Sequence, residues 1–506
     1  MRFHKFVWGV AAAAAALLGA VPAAAAWRKA ESDNFIVYSQ ASEGKIREQV
    51  ALLEDYNSFL RLLTGVTDPA PANKLPVYLV RGQKQLREVR HDIPAQVAGF
   101  YRPNPEGIAA FADDRAGGWG AGEDQVLLHE IAHHFMMQYR PAAYPAWFVE
   151  GFAEYVSTAS FKPNQIEFGQ ANPARASWLV RPNWLSFERV LFQPPPHTKE
   201  EGSLYYAQSW LLTHYLMRDE VQKEKFKAFL RARFEGVPPQ KAFADSFGIE
   251  PKELEKTLRT YGFRKMTYTR MKRASAAVAP KVTVTPLPAS ADDLLLLKAA
   301  LQVGAERGIE PQVLERIRAA AARYPGDTFA QRVLAQAEVF YGDGSKGEAL
   351  LDGLLKDAPQ DGELLYLKGM RHLVEGRREE GEKRRALFKQ ARTWFARAHK
   401  AAPHHFQTLA RYGESLRYDE RFDSDNTMNI VLLAHELAPQ VAQFRMNAAN
   451  LLLMRGKHEA AEVMLMPLAA DAHNAGIAAD ARRMLEKARA EQKQKAPAEA
   501  AKPAGE

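Results

Sequence analysis

No cysteine occurs anywhere in the 506 residues. Disulfides, thiolate nucleophiles, cysteine metal ligands and a lipid-modified N-terminal cysteine are thereby excluded. Beyond residue 26, no apolar stretch is long enough to span a bilayer. The formal net charge of +8 is spread thinly, without a compact basic cluster. That argues against nucleic acid as a partner and permits loose association with anionic envelope surfaces. The length suits two or three domains with a sizeable core.

An apolar run does open the chain. Met1-Arg2-Phe3-His4-Lys5 is basic, an Ala/Leu/Val stretch follows, and Pro22 precedes Ala24-Ala25-Ala26. A basic start, an apolar centre and an A-x-A exit predict a secretory signal peptide over residues 1–26, cleaved before Trp27. Phe6 to Ala26 could just span a membrane as an uncleaved anchor, but its weakly hydrophobic alanines and Pro22 favour cleavage. Loss of Arg2 and Lys5 takes the charge from +8 to +6. An exported chain without disulfides relies on its core alone, so the expected location is periplasmic or secreted, in a bacterium.

The segment His129-Glu130-Ile131-Ala132-His133 carries the chemistry. Val126 to Met137 is apolar and free of Gly and Pro; Gly120-Ala121-Gly122 leads into it, and Glu123-Asp124 suit a first turn. A helix is predicted. On it, His129 and His133 stand one turn apart on one face, close enough to share a metal ion. Glu130 projects toward the coordination position left open, where it could deprotonate a water. The bland alternative makes both histidines core residues, but two stacked imidazoles and a carboxylate on an apolar helix would be costly to bury. His134 lies about 100° around the helix and is read as non-ligating. A third ligand is needed, and Glu150, after an interval of sixteen residues (134–149), is the natural candidate.

Trp147-Phe148-Val149-Glu150-Gly151-Phe152-Ala153-Glu154-Tyr155 resembles the W-L-N-E-G-F-A-x-Y helix of the leukotriene A4 hydrolase/aminopeptidase N enzymes, which with thermolysin belong to the gluzincin metallopeptidases. The resemblance implies that Glu150 joins His129 and His133 in holding Zn²⁺, that Glu130 is the general base, and that the substrate is a peptide bond. Val149 stands where Asn is usual and the connection from His133 is slightly shorter; neither departure touches a ligand. Glu154 lies one turn beyond Glu150, and the resemblance implies that it hydrogen-bonds a ligand histidine and fixes its tautomer. The alternative is a solvated carboxylate. Leu204 to Leu216 resembles the apolar helix of the same enzymes that opens with a tyrosine. By that likeness Tyr206 steadies the oxyanion, with Tyr205 as the fallback and His214 as another donor. No Gly-x-Met-x-Asn segment of the aminopeptidase kind is present, so trimming from a free amino terminus is unsupported.

Around the motif, residues 27–115 read as the mixed α/β N-terminal part of the peptidase domain and 116–263 as its helical, zinc-carrying part. Asn34–Ser39 and Lys74–Val80 are strand-like, Gly44–Leu63 is helical, and Val97–Tyr101 with Gly107–Ala112 flank a hairpin turn. The gluzincin resemblance implies an edge strand beside the metal cleft, a part that Gly107–Ala112 could play. Residues 264–290 read as a linker, with strand-like fragments at Thr267–Thr269 and Lys281–Thr285 set among Ala and Pro. In 291–490 helices follow one another, punctuated by Pro325, Pro359, Pro403 and Pro439 at intervals of 34, 44 and 36 residues. A 34-residue helical hairpin closing on Pro is the tetratricopeptide pattern; the long interval reflects a charged insertion around Arg377–Arg385. Residues 491–506 lack periodicity and read as a disordered tail.

The expected fold class is thus an α+β zincin-like catalytic domain followed by an all-α tetratricopeptide-like solenoid. The expected function is an exported zinc-dependent peptidase with a peptide or protein substrate, a protein partner on the repeats, no nucleic acid and no membrane span in the mature chain. The alternative is a catalytically weak or inactive scaffold that acts through its repeats.

Overall fold

A computed structural model describes residues 26–95, 97–115, 124–196, 198–264, 266–273, 279–304, 308–419, 422–471 and 474–500. The predicted signal peptide except Ala26, the Gly120–Glu123 lead-in and residues 501–506 of the predicted tail lie outside them.

The N-terminal part is built on a six-stranded sheet. Strands β1 (Arg28–Glu31), β2 (Phe35–Ser39), β3 (Leu75–Val80), β4 (Gly99–Asn104) and β5 (Gly107–Asp113) supply five members in the order β4-β5-β3-β2-β1. The β2–β3 and β3–β5 pairs are parallel, and β1–β2 and β4–β5 are antiparallel. Helix α1 (Glu43–Thr64) makes the crossover from β2 to β3. Its start is set by Ser42, whose hydroxyl accepts from the Lys45 amide, and its end by Gly65 at φ 67°. Ile46, Val50, Leu53 and Leu60 recur at helical spacing and bury one face of α1 under the sheet.

Two strand assignments correct the sequence reading. Gly107–Ala112 is not at an edge: β5 sits between β4 and β3, and Ala109, Ala110, Phe111 and Ala112 are all buried. The edge is β4, which carries Arg102 and Pro103; proline cannot donate to a second neighbour and is tolerated at edges. Nor is 264–290 a free linker. Its strand β8 (Thr269–Lys272) joins β6 (Ser160–Lys162) and β7 (Gln165–Phe168) in a second sheet. Its strand β9 (Thr283–Pro286) pairs with β1 and completes the main sheet, from Arg28↔Pro286 to Glu31↔Thr283. Strands this short leave little periodicity, and their partners lie far upstream in the chain.

The helical part follows β5: α2 (Gln83–Val89) precedes β4, and then come α3 (Gln125–Tyr139), α4 (Ala146–Val156), α5 (Pro173–Leu179), α6 (Phe187–Phe192), α7 (Lys199–Met217), α8 (Glu220–Phe234), α9 (Pro239–Phe247) and α10 (Pro251–Gly262). One core joins α1, α3, α4, α7 and α8 to one face of the sheet. The opposite face, with Tyr78, Val80, Phe100 and Phe111, is covered by α2 and by α11 (Ala291–Gln302) through Leu295, Leu296 and Ala299.

The remaining helices pair in sequence: α12 (Glu310–Ala321) follows α11, then α13 (Thr328–Tyr341) with α14 (Gly344–Asp357), α15 (Gly362–Arg377) with α16 (Gly381–Ala401), α17 (Phe406–Leu416) with α18 (Asp425–Leu437), and α19 (Ala442–Met454) with α20 (His458–Ala469), closed by α21 (Ala475–Ala500). Pro325, Pro359, Pro403 and Pro439 each fall between successive pairs, and this part of the chain is a tetratricopeptide-like solenoid. The long repeat is accounted for by α15 and α16, of 16 and 21 residues. Close helix contact depends on small residues: a Cβ on Gly369 would meet the Phe395 ring at 2.4 Å. Residues 491–500 belong to α21, where the sequence predicts a structureless tail. No helix among the described residues is long and apolar enough to cross a membrane.

Candidate metal centre

α3 packs Leu128, Ile131, Ala132 and Phe135 into the core, which turns His129 and His133 toward α4. The same crossing brings Glu150 to them. His129 Nε2 and His133 Nε2 are 3.0 Å apart, and Glu150 Oε2 is 3.4 Å from the first and 3.5 Å from the second. A tetrahedral zinc ion with ligands about 2.0–2.2 Å away sets its donor atoms roughly 3.3–3.6 Å apart. Both distances to Glu150 Oε2 match this spacing and the two imidazole nitrogens stand slightly closer than it; among the described residues no other grouping of His, Cys, Asp and Glu brings three donor atoms this near together. Glu150 is 1 % exposed, and a carboxylate that deep requires a cation close by. Glu130, next to His129 on α3, is half-buried.

A supporting layer stands behind His129. Glu154 Oε1 is 3.3 Å from His129 Nδ1. Glu154 is held in turn by Arg175, and Asn172 Nδ2 donates to its other oxygen at 3.3 Å. Burial works to raise the Glu154 carboxyl, but the Arg175 guanidinium and His129 hold it down at about 2. Burial likewise disfavours a charged His129, yet Glu150 and Glu154 carry this imidazole up to about 10. Two carboxylates thus draw positive charge to one imidazole, a demand that a metal cation also satisfies. Sequence reasoning did not find Arg175 or Asn172. The Asn172-Pro173 start of α5, with the Asn172 side chain accepting from the Ala174 and Arg175 amides, was legible as a cap, but its contact with Glu154 is tertiary.

Tyr206 borders the same group. Its ring centroid is 6.4 Å from that of His129, and the Arg175 guanidinium lies 5.2 Å from its ring centroid. The charge of Glu150, then burial, push its phenol well above the usual range, so at neutral pH it is a proton donor. Tyr205 is fully buried in the core. His214 is occupied elsewhere: Nδ1 accepts from the Tyr261 hydroxyl at 2.7 Å and Nε2 donates to the Gly169 carbonyl at 3.0 Å, a neutral tautomer that burial favours. His134 turns away from the centre to Tyr101 of the edge strand, 3.1 Å from its hydroxyl, and burial holds it down at about 3. Gly151 sets the distance between α4 and α7: a Cβ there would lie 2.2 Å from Thr213 Oγ1 and 2.3 Å from the Ser209 carbonyl oxygen.

The solenoid reaches this region. Gln440 Nε2, just before α19, donates to Gln138 Oε1 on α3. Residues of α3, α4 and α19 together wall a cavity of about 110 Å³ that includes His133.

No family model matches the chain, and no curated protein does. Among solved structures, a thermophilic TPR protein of Thermus thermophilus is similar over 39 % of this chain and 99 % of its own, with 16 % identity and a TM-score of 0.33. The solenoid assignment stands on the helix pairs described above.

Proposed function

We propose that the chain is an exported zinc-dependent peptidase with a zincin-like catalytic domain, and that its repeats engage a protein partner or substrate. The observation that carries this reading is the triangle of His129 Nε2, His133 Nε2 and Glu150 Oε2, with sides of 3.0, 3.4 and 3.5 Å. Zinc bound by these residues would acidify a water and polarise a carbonyl. Glu130 takes the proton of the attacking water and passes it to the leaving amine. Tyr206 donates its phenol O–H to the carbonyl oxygen as charge develops there. Glu154, fixed by Arg175 and Asn172, keeps the His129 Nε2 lone pair directed inward. The peptide bond as substrate and the periplasmic location rest on the family resemblance and on the leader sequence.

Zinc content and a proteomic cleavage profile of the mature protein against Glu130→Gln test this. Stoichiometric zinc in both, with cleavage by the wild type alone, is the expected result; identical profiles would sink the peptidase reading.

A second reading is an inactive scaffold acting through the repeats. It is favoured by the paired helices of the solenoid, an architecture that commonly presents a surface for protein partners. Zinc without turnover on any peptide would support it.

A further inference from the structure

The cavity beside His133 is shared between the two parts of the chain. Met136 and Val149 wall it from α3 and α4, and Gln440 and Arg445 wall it from the solenoid. At about 110 Å³ it is far below the size of a site for a whole drug-sized molecule and suits one side chain or one terminal group. Its chemistry is set by Arg445, which is 6 % exposed and has no ion pair or side-chain hydrogen bond among the described residues. Two other charged residues line the space. Arg140 leans outward, donating to the Gly65 carbonyl at 3.4 Å with Asp68 at 3.9 Å, and Asp471 forms no ion pair with Arg445.

A buried guanidinium without an anion is costly, and proteins normally pair it. Its planar fork matches a carboxylate through two parallel hydrogen bonds. Burial pulls Arg445 down to about 10, with no carboxylate acting against it, so the group stays cationic at neutral pH. Its neighbour His435 is held down at about 4, by burial and then by the charge of Arg445, and offers no anion.

We infer that Arg445 is a substrate-binding residue: the solenoid closes one side of the peptidase cleft and receives there a carboxylate of the peptide, either its C-terminus or an Asp or Glu side chain. The inference rests on the peptidase reading for the identity of the ligand, because the cavity wall includes the proposed metal ligand His133.

The test uses the full mature chain and a fluorescent peptide in four versions, with a free or amidated C-terminus and with or without internal Asp and Glu. Hydrolysis by the wild type is measured alongside binding to zinc-loaded Glu130→Gln, which reports on the subsite without turnover. Versions with a carboxylate are expected to be preferred about 10- to 100-fold, the range for a charge-assisted hydrogen-bonded pair. Which version carries the preference distinguishes a terminal from a side-chain carboxylate. Arg445→Met should bring the preference ratio to one, with a thermal midpoint at or above that of the wild type; Arg445→Lys should restore part of the ratio. Equal treatment of all four versions, a preference that survives Arg445→Met, or marked destabilisation by Arg445→Met would each overturn the proposal. Hydrolysis without preference removes the subsite and leaves the peptidase. Carboxylate-dependent binding without hydrolysis by the wild type leaves the subsite and removes the peptidase.

Discussion

Glu106 and Arg411 are 305 residues apart in sequence and form an ion pair. Glu106 is at the tip of the β4–β5 hairpin and Arg411 is on solenoid helix α17. The Tyr366 hydroxyl donates to the other Glu106 oxygen at 3.0 Å, and Gln407 donates to its backbone carbonyl at 3.3 Å. The hairpin that supplies the sheet edge is thereby gripped by the repeats.

Removing Glu106 leaves Arg411, whose side chain is 15 % exposed, with Glu414 as its remaining ion-pair partner among the described residues. Glu106→Ala should therefore cost about 3 kcal/mol, the scale for breaking a largely buried pair. Urea unfolding should show the solenoid separating at lower denaturant than the sheet. A single transition at the wild-type midpoint would show that the contact does not couple the two parts.

The same cluster predicts a pH dependence. Burial acts to raise the Glu414 carboxyl, but Arg377 and Arg411 hold it at about 2, against an unfolded value of about 4.3. Because the folded value is the lower one, this stabilisation is complete above the unfolded value and is lost as pH falls through about 2. It amounts to about 3 kcal/mol. The difference in unfolding free energy between wild type and Glu414→Gln should be constant above pH 5 and shrink steadily toward pH 2. A difference that grows on acidification would contradict the assignment.

For the metal centre, His129→Ala, His133→Ala and Glu150→Ala should each abolish stoichiometric zinc, as read by competition with a chromogenic chelator. Glu154→Gln should retain zinc but bind it about 10- to 100-fold more weakly, since in the proposed site Glu154 orients His129 without being a ligand itself. Zinc affinity unchanged in Glu154→Gln would show that Arg175 and Asn172 hold a carboxylate with no bearing on His129.

Gly151→Ala adds one methyl where α4 and α7 touch. The atoms it meets, Thr213 Oγ1 and the Ser209 carbonyl, belong to a buried helix and cannot move independently. A loss of about 1–3 kcal/mol is expected from overpacking. Zinc affinity should fall with it, because the displaced helix α4 carries Glu150. Calorimetric melting and zinc titration on one sample separate the two effects.

The parts of the site legible in the sequence are those that a single helix encodes. His129 and His133 meet because residues four apart share a face, and Glu154 follows Glu150 for the same reason. What the sequence hid is tertiary. Arg175 reaches Glu154 from a separate helix, and no local pattern distinguishes it from any other arginine in a helix's first turn. β5 was expected at an edge on the family resemblance alone, although Pro103 in the preceding strand pointed to β4 as the edge. Lys281–Thr285 reads as strand-like, but β9 escaped as a sheet member because its partner β1 lies about 250 residues upstream and leaves no local signal of the pairing. In the solenoid, the repeated prolines were sufficient, because each interrupts a helix where the next pair begins.

The pairing of β9 with β1 bears on how such a chain is inherited. The last strand of the sheet is encoded after the whole helical part, and the next helix, α11, roofs the sheet's second face. Recombination near residue 264 would hand one descendant a sheet with an open margin and bare Tyr78, Phe100 and Phe111, and the other a stack of repeats whose first helix has lost its floor. Neither fragment would be a self-sufficient cassette, because each needs the other to close the sheet and cover its second face.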